Sequence, residues 1–274
     1  MGNRFYRGLI FFIPLLYSIQ TRFLRRTKLG LIVWITEYLL PILLAILILN
    51  LESFNFLYAL LSVFAVYNLY EIGYIQNDCE TIKRENKPTK RLSEDALTLY
   101  EKLKILIYAV RIIFALLFSY LLYCLNVNML FLLTIWLIIP YFMLYNKLRG
   151  KINLYMLLLL TGWRYCYPLF IYSTILDTSH ILSVVVCVFF AYPVPTFIEI
   201  CSEGKGNSPE KWTKIFLPDY DGRFIFRIKY YTIMVVVYFV MSICNFIPYF
   251  ELIIPGYYLL DRIPQLWMKK LGDK

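Results

Sequence analysis

Acidic and amide side chains crowd the first half of the stretch 70–91, and basic side chains crowd its second half. If the stretch begins as a helix, residues spaced three or four apart share one face. One face would carry Asn77, Thr81 and Glu85. An adjacent face would carry Glu71, Tyr74 and Asp78. Mg²⁺ is usually held by one or two carboxylates together with substrate phosphates. We therefore predict a Mg²⁺ site with ligands drawn from Asn77, Asp78, Glu80 and Glu85.

The basic half of the stretch offers donors for phosphate oxygens. A guanidinium can hold two such oxygens at once, whereas an ammonium acts as a point charge. The predicted catalytic groups are Asp78, Glu85, Lys90 and Arg91. The predicted substrate contacts are Glu71, Tyr74, Lys83 and Lys87. The competing interpretation is a solvated loop in which the two signs of charge balance.

A second acidic pair, Glu199 and Glu203, lies at the end of a later apolar run. The two residues are four apart, so they would share a helical face. Pro193 and Pro195 precede them and would kink that helix. By itself the pair is a weak indication of a site, because two glutamates often occur at the end of a helix. Two basic residues that follow, Lys205 and Arg223, are predicted substrate contacts.

The composition is that of an integral membrane protein. The chain is 60% hydrophobic and only 17% charged, whereas soluble domains carry roughly 25% charged residues. Each crossing by a helix takes roughly 20 apolar residues. Such runs fill most of the chain and predict an all-α fold with eight spans: 29–50, 53–76, 104–125, 127–146, 153–176, 180–200, 225–245 and 246–262.

Lysine and arginine residues sort to one side of these spans. They occur before the first span and after the second, fourth, sixth and eighth spans, and not in the other connections. The positive-inside rule then places both termini in the cytoplasm, together with the loops 77–103 and 199–224. We expect a multi-pass protein of a bacterial inner membrane. The net charge of +10 suits anionic lipids and phosphorylated substrates rather than nucleic acid.

Residues 1–28 are basic and amphipathic, which favours a helix lying in the membrane interface over a ninth span. The remaining 29–268 are predicted to form a single transmembrane domain. Charged residues within the spans are functional candidates, and they are Glu37, Arg111, Arg164 and Glu251. Arg164, flanked by aromatic residues, would face a central cavity and hold a phosphate or form a cation–π contact. The alternative is an ion pair between helices with Glu37 or Glu251. Arg111 lies near the cytoplasmic end of its span, which favours a structural role.

The first charged stretch resembles the first signature of the UbiA superfamily of intramembrane prenyltransferases. The resemblance rests on the segment NDCETIKRE at 77–85, on NKPTKR at 86–91, and on the preceding GYIQ. The pair Glu199 and Glu203 falls where that family carries its second acidic signature, so the resemblance implies that the pair supplies additional Mg²⁺ ligands. The resemblance implies an all-α bundle of about eight or nine transmembrane helices around a central cavity, with Mg²⁺ as cofactor.

The same resemblance implies transfer of an isoprenyl group from a diphosphate donor to a lipid-soluble acceptor. One branch of the superfamily instead transfers phosphoribosyl from phosphoribosyl diphosphate to a polyprenyl phosphate, and its basic segment is similar to residues 87–91. A third hypothesis is a non-catalytic protein that binds polyprenyl lipids, because Thr81 replaces an expected carboxylate. The sequence gives no indication of the oligomeric state.

Overall fold

A computed structural model describes residues 8–24, 30–49, 51, 54–84, 89–148, 150–173, 180–203 and 212–272 of the chain. All regular secondary structure in these residues is helical. Seven helices in the described part are long and apolar enough to cross a membrane. They are α1 (Gly30–Leu49), α2 (Phe56–Arg84), α3 (Glu94–Cys124), α4 (Met129–Lys147), α5 (Lys151–Ser173), α6 (Ile181–Glu203) and α7 (Tyr220–Ile243). An eighth helix, α8 (Ile253–Gly272), is not among the seven.

The seven helices coincide with the first seven predicted spans, which confirms an all-helical polytopic fold. The largest extensions beyond the predicted spans are at the end of α2 and at the start of α3. The α-helical part of α2 ends at Cys79 and continues as a 3-10 turn from Thr81 to Arg84, and α3 begins at Glu94 rather than at 104. Much of the predicted loop 77–103 is therefore helical.

Asparagine and serine caps fix where α2 and α3 begin. The Asn55 side chain accepts hydrogen bonds from the backbone N–H groups of Leu57 and Tyr58. The Ser93 hydroxyl accepts from the Ala96 N–H. These bonds satisfy donors that the first turn of a helix leaves unpaired. Glu94 and Asp95 in the first turn of α3 also complement the helix dipole. The helix α6 is interrupted at Tyr192, directly before the predicted proline kink.

The chain forms two compact units. The first unit contains residues 1–35, 55–148 and 170–175, and the second contains 36–54, 149–169 and 176–274. The prediction of one domain over 29–268 stays a prediction. In the first unit, α2 packs against both α3 and α4.

The described part of the N-terminal segment, residues 8–24, is packed into the first unit. It contains a short helical turn at Leu16–Ser18 and a π-helical turn at Ile19–Leu24. Its buried apolar side chains join a core with residues of α2 and α3: Ile10, Phe11, Tyr17, Ile75, Cys79, Ala96, Tyr100 and Ile107. Placement of residues 1–28 in the interface stays a prediction.

In the second unit, α7 and α8 pack against each other as a helical hairpin. The rings of Tyr231 on α7 and Tyr258 on α8 stack with centroids 5.4 Å apart. At the start of the hairpin's second arm lies a 3-10 turn, Tyr249–Leu252. Arg262 of α8 donates to the Glu37 carboxylate of α1 at 2.8 Å. This ion pair joins α8 to α1 within the unit.

Candidate functional site

Asp78, on the last α-helical turn of α2, is the centre of a buried cluster of charges. Its side chain is fully buried. Arg22 Nη2 lies 2.9 Å from one carboxylate oxygen and 3.0 Å from the other. Arg91 Nη1 donates to Asp78 Oδ1 at 3.0 Å, and the Tyr17 hydroxyl donates to Oδ2 at 3.0 Å. Asn77 adds a longer bond of 3.3 Å to Oδ1. Two guanidinium groups therefore share a single carboxylate.

Two members of this cluster, Tyr17 and Arg22, come from the N-terminal segment, and a buried ion pair holds that segment in place. Glu71 on α2 accepts hydrogen bonds from the backbone N–H groups of Leu15 at 2.8 Å and Ser18 at 2.7 Å. It thereby caps the helical turn that begins at Leu16. Glu71 also accepts from Arg111 Nη1 at 2.8 Å, and both side chains are fully buried.

Arg111 completes the attachment from the α3 side. Its guanidinium donates to the backbone carbonyls of Ile10, Phe11 and Ile13, at 3.3, 2.8 and 3.1 Å respectively. It also donates to the Asn68 side chain at 3.3 Å. Burying a charge is costly unless it is paired and hydrogen-bonded, and here every nitrogen of the guanidinium has an acceptor. The geometry thus gives Glu71, a predicted substrate contact, a full set of protein partners.

A pocket of about 270 Å³ opens beside Asp78. Its polar lining consists of Asp78, Lys83, Lys90 and Arg91. Its apolar lining consists of Ile82, Leu92 and Leu97. Three cationic side chains against one carboxylate make the pocket attractive to anions, and the apolar side chains suit a hydrocarbon group attached to such an anion. The pocket lies at the polar end of α2, next to the start of α3.

Burial and neighbouring charges shift the pKa values of the two arginines in the cluster. Burial lowers the pKa of Arg91, and the nearby charge of Arg22 lowers it further, while Asp78 acts in the opposite direction. Burial would also lower the pKa of Arg22, but the electrostatic attraction of Asp78, Tyr74 and Tyr17 outweighs burial and raises that pKa. The Arg22 guanidinium lies 4.3 Å from the centre of the Tyr74 ring. Both guanidinium groups remain charged at neutral pH, since arginine does not lose its proton in proteins.

The other predicted residues of the first stretch have separate positions. Glu80 accepts from the Tyr100 hydroxyl and pairs with Lys104 at 2.7 Å. Lys83 lines the pocket and also pairs with Glu101 on the exposed surface. Glu85 and Lys87, together with Lys205 of the second stretch, lie outside the described residues.

Two of the predicted Mg²⁺ ligands, Asp78 and Glu80, already have partners within the protein, and the predicted Mg²⁺ site itself stays a prediction. Both oxygens of Asp78 already accept from arginine, and Glu80 is directed toward Tyr100 and Lys104. Among the residues that the structure describes, no three His, Cys, Asp or Glu side chains are grouped so that they could hold a metal ion. A divalent cation bound to Asp78 would also be repelled by two guanidinium groups at close range.

In the second unit, Glu199 forms a bidentate ion pair with Arg227 of α7. Arg227 Nε donates to one Glu199 oxygen at 2.6 Å and Nη2 to the other at 2.8 Å. Arg227 also donates to the Tyr231 hydroxyl at 2.8 Å and to Thr196 at 2.9 Å. Glu203 is half-buried at the end of α6. Arg227 was not singled out from the sequence, although a charged residue at the start of an apolar run could have marked it as a buried partner.

The remaining predicted arginines of this unit lie against aromatic rings. The Arg164 guanidinium lies 5.3 Å from the ring centres of both Tyr38 and Tyr165. The Arg223 guanidinium lies 4.4 Å from the centre of the Tyr220 ring. These distances are within the range of cation–π attraction. The expected aromatic setting of Arg164 is therefore present.

The described helices indicate a multi-pass membrane protein. No family model, curated protein or solved structure matches the chain.

Proposed function

We propose that the protein is a membrane transferase of UbiA type that acts on an isoprenoid carrying a phosphate or diphosphate group. The observation that carries the proposal is the pocket beside Asp78, where Lys83, Lys90 and Arg91 face the apolar side chains of Ile82, Leu92 and Leu97. Basic and apolar linings in one pocket match a ligand with an anionic head and a hydrocarbon tail. The pocket lies where a transmembrane helix meets polar residues, so such a ligand could keep its tail in the bilayer.

The reaction we favour transfers an isoprenyl group from a diphosphate donor to a lipid-soluble acceptor. The bond between the isoprenyl carbon and the diphosphate oxygen breaks, and its electron pair leaves with the diphosphate. The acceptor forms a new bond to that carbon and loses a proton. Lysine and arginine side chains aimed at the leaving oxygens stabilise the negative charge that develops there. The predicted dependence on Mg²⁺ stays a prediction, and no step above uses the ion.

Phosphoribosyl transfer to a polyprenyl phosphate is the second candidate. It is favoured by the contribution of both Lys90 and Arg91 to the pocket, since these residues end the segment that is similar to the phosphoribosyl-transferring branch. In this reaction the bond between ribose C1 and diphosphate breaks, diphosphate leaves, and an oxygen of the lipid phosphate bonds to C1.

Two transfer assays on the purified protein in lipid nanodiscs separate these candidates. One uses labelled farnesyl diphosphate with a quinone precursor as acceptor, and the other uses labelled phosphoribosyl diphosphate with a polyprenyl phosphate. We expect labelled acceptor lipid in the first assay and none in the second. Label in the second assay alone would replace the first function by the second. Binding of both lipids without any product would support a non-catalytic lipid-binding protein.

Arg91→Gln should reduce turnover at least tenfold, because a charge-assisted hydrogen bond contributes about 1.5–3 kcal/mol. Lys102→Gln is the matched control, since it removes an exposed cation on α3 that does not line the pocket. Equal losses in the two variants would contradict a role of this pocket in the reaction.

A further inference from the structure

We infer that Asp78 is a positioning residue that holds Arg22 and Arg91 together as an anion-binding pair, and that this pair binds the phosphate of an isoprenoid without a metal ion. The class of ligand rests on the proposed function. The role of Asp78 and the independence from metal rest on contacts within the first unit.

The first step is the charge balance at Asp78. One carboxylate, with a fully buried side chain, is shared by two guanidinium groups whose side chains are 14% and 28% exposed. Lys90 adds a further cation at the pocket wall. Among the described residues, positive charge is therefore in excess around Asp78. A phosphate would neutralise this excess, whereas a metal cation would add to it.

The second step is an unused donor. The Nε–H of Arg22 is buried and has no hydrogen-bond acceptor among the described residues. A buried donor without an acceptor is costly, and native structures seldom leave one unpaired. Arg22 already uses Nη2 on Asp78. Arg22 does not itself line the pocket, whereas Arg91 does. A phosphate bound at Arg91 must therefore extend beyond the pocket to reach this Nε–H and complete its hydrogen bonding.

The third step is that the two arginines belong to different parts of the chain. Arg22 belongs to the N-terminal segment, whereas Arg91 precedes α3. Two guanidinium groups repel each other, so without the carboxylate they would separate. Asp78 removes that repulsion and fixes both groups with bonds of about 3 Å. Loss of the carboxylate should therefore weaken phosphate binding even when no metal is present.

The test is equilibrium binding of radiolabelled farnesyl monophosphate to the full-length protein in nanodiscs, in EDTA and in Mg²⁺. We expect wild-type affinities within about threefold of each other in the two buffers. Asp78→Asn, Arg22→Gln and Arg91→Gln should each weaken binding in EDTA by about tenfold or more, because each removes part of a charge-assisted contact. Lys102→Gln should bind like the wild type.

A double variant distinguishes positioning from general damage. If Asp78 acts through Arg91, the losses of affinity should not add. The double variant Asp78→Asn with Arg91→Gln should then bind farnesyl monophosphate as tightly as the single variant that has the lower affinity. A purely structural role would lower the thermal midpoint and give additive losses of affinity. The wild-type comparison of EDTA with Mg²⁺ requires no variant to fold, so the inference stays testable if Asp78→Asn is unstable.

The outcomes separate this inference from the proposed function. Wild-type binding that disappears in EDTA, or Asp78→Asn that binds normally there, would overturn the metal-independent pair and leave the transferase intact. Binding with the expected pattern but no product in either transfer assay would overturn the transferase and leave the pair intact. An absence of binding in both buffers would overturn the inference as well.

Discussion

Arg111 illustrates how much a single buried side chain can hold together. It joins the α3 helix to three carbonyls of the N-terminal segment and to Glu71 and Asn68 of α2. Glu71 in turn caps the turn that contains Tyr17 and precedes Arg22. The pair therefore holds in place the segment from which those two residues reach Asp78. A fully buried ion pair thus positions the candidate site from a distance.

Arg111→Lys should destabilise the protein although it keeps the charge. A lysine has three donors in place of five. Its single ammonium group cannot contact the acceptors of the N-terminal segment and those of α2 at the same time, as the planar guanidinium does. At least two buried acceptors would lose their partner, at about 1–3 kcal/mol each. Thermal unfolding in detergent, followed by size-exclusion chromatography, should show a clear drop in the midpoint. Arg223→Lys, at a half-buried position against Tyr220, is the control, and an equal drop there would contradict the prediction.

The partners of the charged residues could be predicted only in part. The sequence favoured a structural role for Arg111 and placed aromatic residues beside Arg164, and both roles stay predictions. It did not pair Arg111 with Glu71, Glu199 with Arg227, or Glu37 with Arg262. Helical periodicity gives the face on which a residue lies, but the element opposite that face depends on the tertiary packing. Tyr17 and Arg22 were missed for the same reason, since they reach Asp78 from a segment far away in the chain.

At the level of helices, the apolar runs were sufficient to locate the membrane-spanning segments. A bilayer requires long, internally hydrogen-bonded apolar segments, so hydropathy alone placed the first seven helices. It could not place their ends. The start of α3 at Glu94 depends on the Ser93 cap and on polar residues that continue the helix beyond its apolar part. A hydropathy window cannot detect such an extension.

Packing of α2 against α4 depends on a close approach at Gly73. A Cβ atom added there would lie 2.1 Å from Cγ of the Phe142 ring. Gly73→Ala should therefore force the helices apart or the ring out of place, which costs about 1–3 kcal/mol in overpacked cores. We expect a lower thermal midpoint, partly recovered when Phe142→Leu makes room.

Gly256 provides the matched control for this prediction. It lies on α8, and an added Cβ would meet nothing within 4 Å. Gly256→Ala should leave the midpoint unchanged or raise it, since alanine is favoured over glycine in helices by about 0.5–1 kcal/mol. A Gly73→Ala protein as stable as Gly256→Ala would show that α2 and α4 do not approach as closely as described.

For the molecule as a whole, the topology depends on whether α8 crosses the membrane. Its 20 residues would span about 30 Å, which is the thickness of a bilayer core. It differs from the seven apolar helices because it contains two adjacent charged residues, Asp261 and Arg262. However, the Arg262 side chain is only 9% exposed and is paired with Glu37, and a paired charge directed into a bundle is tolerated within membranes. We therefore expect α8 to cross and the C-terminus to lie in the cytoplasm, where Lys269, Lys270 and Lys274 satisfy the positive-inside rule.

Reporter fusions test this orientation directly. Green fluorescent protein fused after Lys274 should fluoresce, because it folds in the cytoplasm, and alkaline phosphatase at the same place should be inactive. Fusions after Asn245, in the connection between α7 and α8, should give the reverse pair of results. Phosphatase activity at both positions would mean that α8 remains on the outer side. In that case three lysines would lie outside, and the pairing of Arg262 with Glu37 would have to form without a crossing helix.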